Sequence, residues 1–138
     1  MKTFETIRLS IQCWCRQQTI GLCVLFGSQA TGKARAKSDV DLALWPQTPL
    51  AAQTKLGWIG ELEDLLERPV SVVVVSPDLD PVLGFEIVRH GRVLFERQPG
   101  LWHTNRLRLW QAYTDSEPFR RAARQRLRRF AESVRYGA

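Results

Sequence analysis

The segment Leu25–Leu44, LFGSQATGKARAKSDVDLAL, constrains this chain more than any other. An apolar run ends at Gly27-Ser28, ten residues intervene, and Asp39-Val40-Asp41 opens a second apolar run. Successive strand residues point to opposite faces. Asp39 and Asp41 are therefore expected on one face, while Val40, Leu42 and Leu44 enter the core. Two carboxylates at the start of a buried strand are costly unless a cation sits between them. A hard divalent ion such as Mg2+ suits them, because it takes oxygen ligands and commonly binds one or two carboxylates plus substrate phosphates. Gly27-Ser28 offers the complementary part, a turn with free N–H groups at an expected helix N-terminus, where phosphate binds. The structural alternatives are a carboxylate pair that merely flanks a strand and a Ser28 that simply caps a helix.

The surrounding pattern frames this segment as α/β. Phe4, Ile7, Ile11 and Trp14 recur at helical spacing and predict a helix over 4–18, followed by a strand over Ile20–Phe26. A short helix is expected over 28–35 and a second strand over Ser38–Trp45, stopped by Pro46 and Pro49. Residues 51–67 return to helical spacing with Leu56, Ile59, Leu62, Leu65 and Leu66 as the buried stripe. Val70–Val75 is a β-branched run suited to an interior strand. Asp80-Pro81 reads as an N-cap with proline in the first turn, Gly91 as the stop, and Val93–Phe95 as a fourth strand. Helices over 101–113 and 117–135, with Ser116 as a cap between them, complete the chain. The expected architecture is a small mixed-sheet core over 1–96 with flanking helices and a basic helical tail over 97–138, packed on the core or on a partner.

Charge divides along the same line. Residues 1–100 hold 11 Lys+Arg and 11 Asp+Glu, whereas residues 101–138 hold nine arginines against Asp115, Glu117 and Glu132. The whole net charge of +6 thus lies in the tail, which suggests an acidic partner or nucleic acid. Within it, Arg120, Arg124 and Arg128 share one helical face as candidate partner-binding residues. Phe119, Ala123, Leu127 and Phe130 form an apolar stripe. The plainest reading packs that stripe on the core and leaves the arginines solvated; an acidic protein surface and nucleic acid are the alternatives. No apolar run approaches the ~18 residues of a membrane span, and the N-terminus lacks a signal-peptide pattern. Cys13, Cys15 and Cys23 lack zinc-type spacing to His90 or His103. A cytoplasmic protein with reduced thiols is expected.

Gly27-Ser28, ten residues, then Asp39-x-Asp41 resembles the signature of the nucleotidyltransferase superfamily that includes DNA polymerase beta. With Ala30, Gly32 and Ser38 around it, the segment is most similar to the minimal nucleotidyltransferases (MNT), the antitoxin halves of bacterial HEPN/MNT toxin–antitoxin pairs. The resemblance implies a nucleotidyltransferase core with its active site at the ends of the first two strands. It implies Asp39 and Asp41 as catalytic Mg2+ ligands, and Gly27, Ser28, Lys33 and Ser38 as nucleotide-phosphate contacts. The implied reaction is transfer of AMP from ATP to a protein hydroxyl, a tyrosine of a cognate HEPN ribonuclease toxin. The chain departs from the family at two points. Thr31 stands where relatives often carry arginine, and Ser71 stands where the third strand usually supplies a third carboxylate. The second departure keeps open a protein that neutralises its toxin by binding alone, and the arginine tail keeps open a nucleic-acid-binding protein.

Overall fold

The computed structural model describes residues 4–27 and 39–135. Its elements are α1 (Phe4–Arg16), β1 (Ile20–Phe26), β2 (Val40–Pro46), α2 (Ala52–Leu66), β3 (Val70–Val74), α3 (Pro81–His90), β4 (Arg92–Glu96), α4 (Leu101–Asp115) and α5 (Glu117–Arg135). The strands form one mixed sheet in the order β3-β2-β1-β4. β1 runs antiparallel to both β2 and β4, while β2 and β3 are parallel. A parallel pair needs a crossover, and α2 supplies it. The expected helix over 28–35 lies outside the described residues.

Helices cover both faces of the sheet. On one side Ile7, Ile11 and Trp14 of α1 and Trp58, Leu62 and Leu66 of α2 pack with Cys23, Leu25, Val40, Leu42 and Leu44. On the other, Leu22, Val24, Phe26 and Ala43 meet Ile87 of α3 and the inner side of α4. β1 serves both layers because its side chains alternate between the two faces, and an irregularity between Ile20 and Leu22 shifts its register, Ile20 pairing with Pro46 but Leu22 with Trp45. Edge-to-face packing of Trp14 on Trp58, with ring centroids 5.8 Å apart, joins α1 to α2. Their indole N–H groups donate to Glu61 at 2.8 Å and Gln18 at 3.2 Å, so neither polar handle is wasted on burial. Arg97 pins the end of β4 by donating to the carbonyls of Ile20, Cys15 and Gln18.

Several expectations are corrected. Helix α1 stops at Arg16 rather than 18, because Gln17 and Gln18 donate to Trp14 and Cys15 in tighter turns. The buried stripe of α2 is Trp58-Leu62-Leu66, and Leu56 is 69% exposed. At 100° per residue Leu56 points about 120° away from Leu62. β2 begins at Val40, so Asp39 precedes the strand. Gly91 does stop α3, but in extended geometry. A Cβ there would approach Val24 Cγ1 to 2.8 Å, so close packing requires the glycine. The Asp80 carboxylate accepts from Val82 N–H at 2.9 Å, the expected cap ahead of Pro81.

The tail divides. α4 packs through Leu101, Trp102 and Leu109, with Trp102 edge-on to Trp45 at 6.1 Å. α5 packs mainly against α4. Its apolar stripe faces water, with Phe119 78%, Leu127 68% and Phe130 66% exposed. Of the two expected arrangements, packing of this stripe on the core is not adopted in the isolated chain. Among the described residues no helix is long and apolar enough to cross a membrane.

Candidate active site

The site forms where β1 ends and β2 begins. Phe26 pairs with Asp41 across the antiparallel ladder, and the chain leaves β1 at Gly27 with φ +74°. On the other side, Val40 N–H donates to the Pro69 carbonyl at 2.9 Å and Asp41 stands in register with Ser71 of β3. Three segments thus hold Asp41 near the end of an inner strand of the sheet, on the face it shares with Phe26 and Ala43.

Gly27 is required there twice. Its left-handed φ disfavours a side chain. A Cβ would also overlap Asp41 Oδ2 and lie 3.1 Å from Asp41 Cγ. The carboxylate of Asp41 leans over a backbone that only glycine leaves bare. Sequence reasoning assigned Gly27 to close approach of a ligand; the first group it admits is Asp41 itself.

Asp39 is exposed just ahead of the strand. Partial burial raises the Asp41 carboxyl above its ordinary value, and the nearby Asp39 charge pushes in the same direction. A like charge so placed raises the cost of ionising Asp41. A divalent cation would remove that repulsion. Two hard oxygen donors, one half-buried against a bare glycine backbone, fit Mg2+ completed by waters and phosphate oxygens. Among the described residues no third His, Cys, Asp or Glu joins them.

The neighbouring position explains why. In parallel register Ser71 presents its side chain on the same face as Asp41, and it is exposed. The nearest acids do not stand on β3. Glu67 caps α2 in left-handed geometry, φ 56°, with its N–H donating to the Glu63 carbonyl, and Asp78 lies in the turn past the strand.

Ser28, Lys33 and Ser38, the other expected phosphate contacts, lie outside the described residues. His90 ends α3, 3.9 Å from Glu86, and His103 is exposed on α4, so neither is drawn to the site. The tail arginines have unequal surroundings. Arg120 donates to the Tyr113 carbonyl at 2.9 Å and Ser116 Oγ at 2.9 Å, pairs with Glu117 at 2.9 Å, and lies 3.8 Å over the Tyr113 ring. It is a clamp at the α4–α5 joint. Ser116 spends its hydroxyl on Tyr113 and Arg120 instead of capping α5. Arg124 reaches Glu117 at 3.4 Å and Arg128 is exposed. Sequence reasoning also missed the aromatic group beside the clamp, Tyr113 stacked on Phe85 at 4.2 Å with Trp110 5.8 Å from Phe85. The spacing of Trp110 and Tyr113 was its available signal.

Over residues 10–100 the chain matches the sequence profile of the family described as polymerase beta, nucleotidyltransferase. It is 29% identical over 106 residues to the protein adenylyltransferase MntA of Aphanizomenon flos-aquae, covering 70% of this chain and 69% of that protein. Its fold is similar to a chain in the crystal structure of a toxin–antitoxin with AMP-PNP, at TM-score 0.78 and 20% identity, covering 87% of this chain and 97% of that one. It is also similar to a chain in the complex of the tri-AMPylated Shewanella oneidensis HEPN toxin with an MNT antitoxin, at TM-score 0.74 and 18% identity, covering 89% and 97%.

Proposed function

Since the chain belongs to the polymerase beta nucleotidyltransferase family, we propose that it is a Mg2+-dependent protein adenylyltransferase and the antitoxin of a HEPN-type toxin. The observation that carries this reading is the Asp39/Asp41 pair over Gly27 at the joined ends of β1 and β2. The kinship to an MntA adenylyltransferase, and to the chains of toxin–antitoxin complexes, supports ATP as substrate and a HEPN protein as acceptor.

In this reading the acceptor hydroxyl oxygen, from a tyrosine, attacks the α-phosphorus of ATP. The bond from that phosphorus to the bridging oxygen of the β-phosphate breaks, and pyrophosphate leaves. Asp39 and Asp41 would hold Mg2+, which supplies charge neutralisation to the triphosphate and the transferring phosphoryl group when bound. Gly27 keeps the backbone bare beneath Asp41, and Ser28, Lys33 and Ser38 are the residues proposed to bind the phosphates. Transfer of this kind depends mainly on positioning and charge stabilisation, so a short set of residues suffices. The acceptor's proton passes to solvent or to a phosphate oxygen, because a serine hydroxyl at position 71 is too weak a base to take it.

Ser71 beside Asp41 favours one second reading: a nucleotidyltransferase fold with weak or lost transfer that neutralises its toxin by binding. Co-expression with the toxin separates the two. The catalytic reading expects Asp39→Ala/Asp41→Ala to abolish rescue of growth while the protein remains folded. Full rescue by that variant would establish the binding reading.

A further inference from the structure

Helix α5 carries an unpartnered seam. Ala123, Leu127, Phe130 and Val134 recur at four, three and four residues, the spacing at which one helix packs along another. Leu127, Phe130 and Val134 are each about two-thirds exposed. Phe119 extends the same line by one turn. From Phe119 to Leu127 the apolar arc spans about 80° at 100° per residue. That is narrower than the ~100° stripe by which a helix meets a broad surface, and it has the width of a helix-pair seam.

The flanks of this seam specify its occupant. With Ala123 and Phe130 at d and Leu127 and Val134 at a, the neighbouring e and g positions are Arg124, Ala131, Arg126 and Ser133. From Ala123 to Val134 no acid flanks the seam; Glu117, one heptad ahead of Arg124, pairs with that arginine at 3.4 Å. A second copy would set Arg124 and Arg126 against the same arginines, whereas a helix with Asp or Glu at its e and g positions would pair with them. A nucleic acid would meet the arginines but leave Phe130 and Leu127 in water. The surface is also oriented in advance, because the Arg120 clamp to Tyr113, Ser116 and Glu117 fixes α5 on α4. Such pre-organisation lowers the entropy lost on docking.

We infer that the Leu127–Phe130 seam of α5, flanked by Arg124 and Arg126, docks an acidic-flanked amphipathic helix of the protein that this chain modifies. The inference rests on the proposed function for the identity of that protein. The seam is the docking surface, and the Asp39/Asp41 edge is the chemical one.

The test is calorimetric titration of the HEPN-type partner into the full-length chain and three variants. Arg124→Glu/Arg126→Glu reverses the flanks, Leu127→Ser/Phe130→Ser empties the seam, and Arg121→Glu/Arg129→Glu makes the same charge change on a face turned away from it. All six positions are exposed, so folding is retained, which circular dichroism verifies. The first two variants should each weaken binding about thirtyfold or more, the size of an interface hot spot, and the third less than about threefold. Equal losses in the two charge variants, no loss in the seam variants, or absence of binding by the wild-type chain would overturn the inference. So would binding to phosphatidylserine vesicles or RNA as tight as to the partner. Labelling of a partner still bound by the seam variants would sink only the docking surface. Seam-dependent binding without AMP transfer would sink only the adenylyltransferase reading.

Discussion

The β1–β2 edge and helix α5 are both incomplete in the isolated chain, in opposite ways. At the strand edge the deficit is electrostatic: Asp41 is partly buried with Asp39 beside it, and both factors raise its carboxyl. On α5 the deficit is hydrophobic: Phe119, Leu127, Phe130 and Val134 are left in water. Between them lies a core with no buried polar or charged residue among those described. Stability and function therefore reside in different places. Changes in the core should unfold the protein, and changes at the two incomplete regions should alter what it binds.

The largest expected effect is at the edge. Asp41→Asn should lower AMP transfer at least about a hundredfold, since even residues supporting a metal ligand commonly cost 10–100-fold. Melting of the free protein should be undiminished. Gly27→Ala should lower transfer and also stability, by about 1 kcal/mol from the left-handed backbone plus the displacement of Asp41. Chemical denaturation and label transfer measured together would reveal both losses, and a Gly27→Ala protein with normal transfer would break the account of that turn.

The contrast between core and tail is sharpened by a pair of truncations. Leu62→Ala, at a fully buried site, should cost about 2–5 kcal/mol. Leu127→Ser on α5 should stay within about 0.5 kcal/mol. Comparable denaturation midpoints for the two would contradict the exposed seam.

A smaller effect follows from the raised Asp41 carboxyl. Because its folded pKa lies above the unfolded one, the free chain carries the associated destabilisation at every pH above the folded value. That destabilisation is relieved as pH falls through it. Asp41→Asn should therefore raise the melting temperature slightly at neutral pH, and the gain should vanish in acid. Added Mg2+ should reverse the order, stabilising wild type alone, and its affinity should fall as Asp41 protonates. Ser71→Asp probes the same balance. A third carboxylate beside Asp41 should lower the stability of the free chain. It should also raise transfer by tenfold or more, given that a positioned base contributes about 10²–10⁴.

Much of this was legible in the residues. The strand–helix order came from local periodicity and from Pro and Gly punctuation. The Gly27 to Asp41 spacing identified the site, whereas the position of Ser71 opposite Asp41 emerged only from the parallel pairing of β2 with β3. What the sequence could not reveal depended on which face meets what. An amphipathic stripe on α5 has the same pattern whether it meets its own core or another protein. In α2 the choice between Leu56 and Trp58 was decided by packing on Trp14. Arg120, Arg124 and Arg128 look equivalent at their helical spacing; only the turn at Ser116 brings Arg120 onto Tyr113.

The account turns on chemistry at the β1–β2 edge, and the most direct measurement is label transfer from ATP radioactive at its α-phosphate. The wild-type chain and Asp39→Ala/Asp41→Ala would each be incubated with Mg2+ and the HEPN-type partner. The account predicts a labelled partner with the wild type, none with the variant, and none for either when Mg2+ is chelated. An unlabelled partner that nonetheless binds both proteins equally would contradict it.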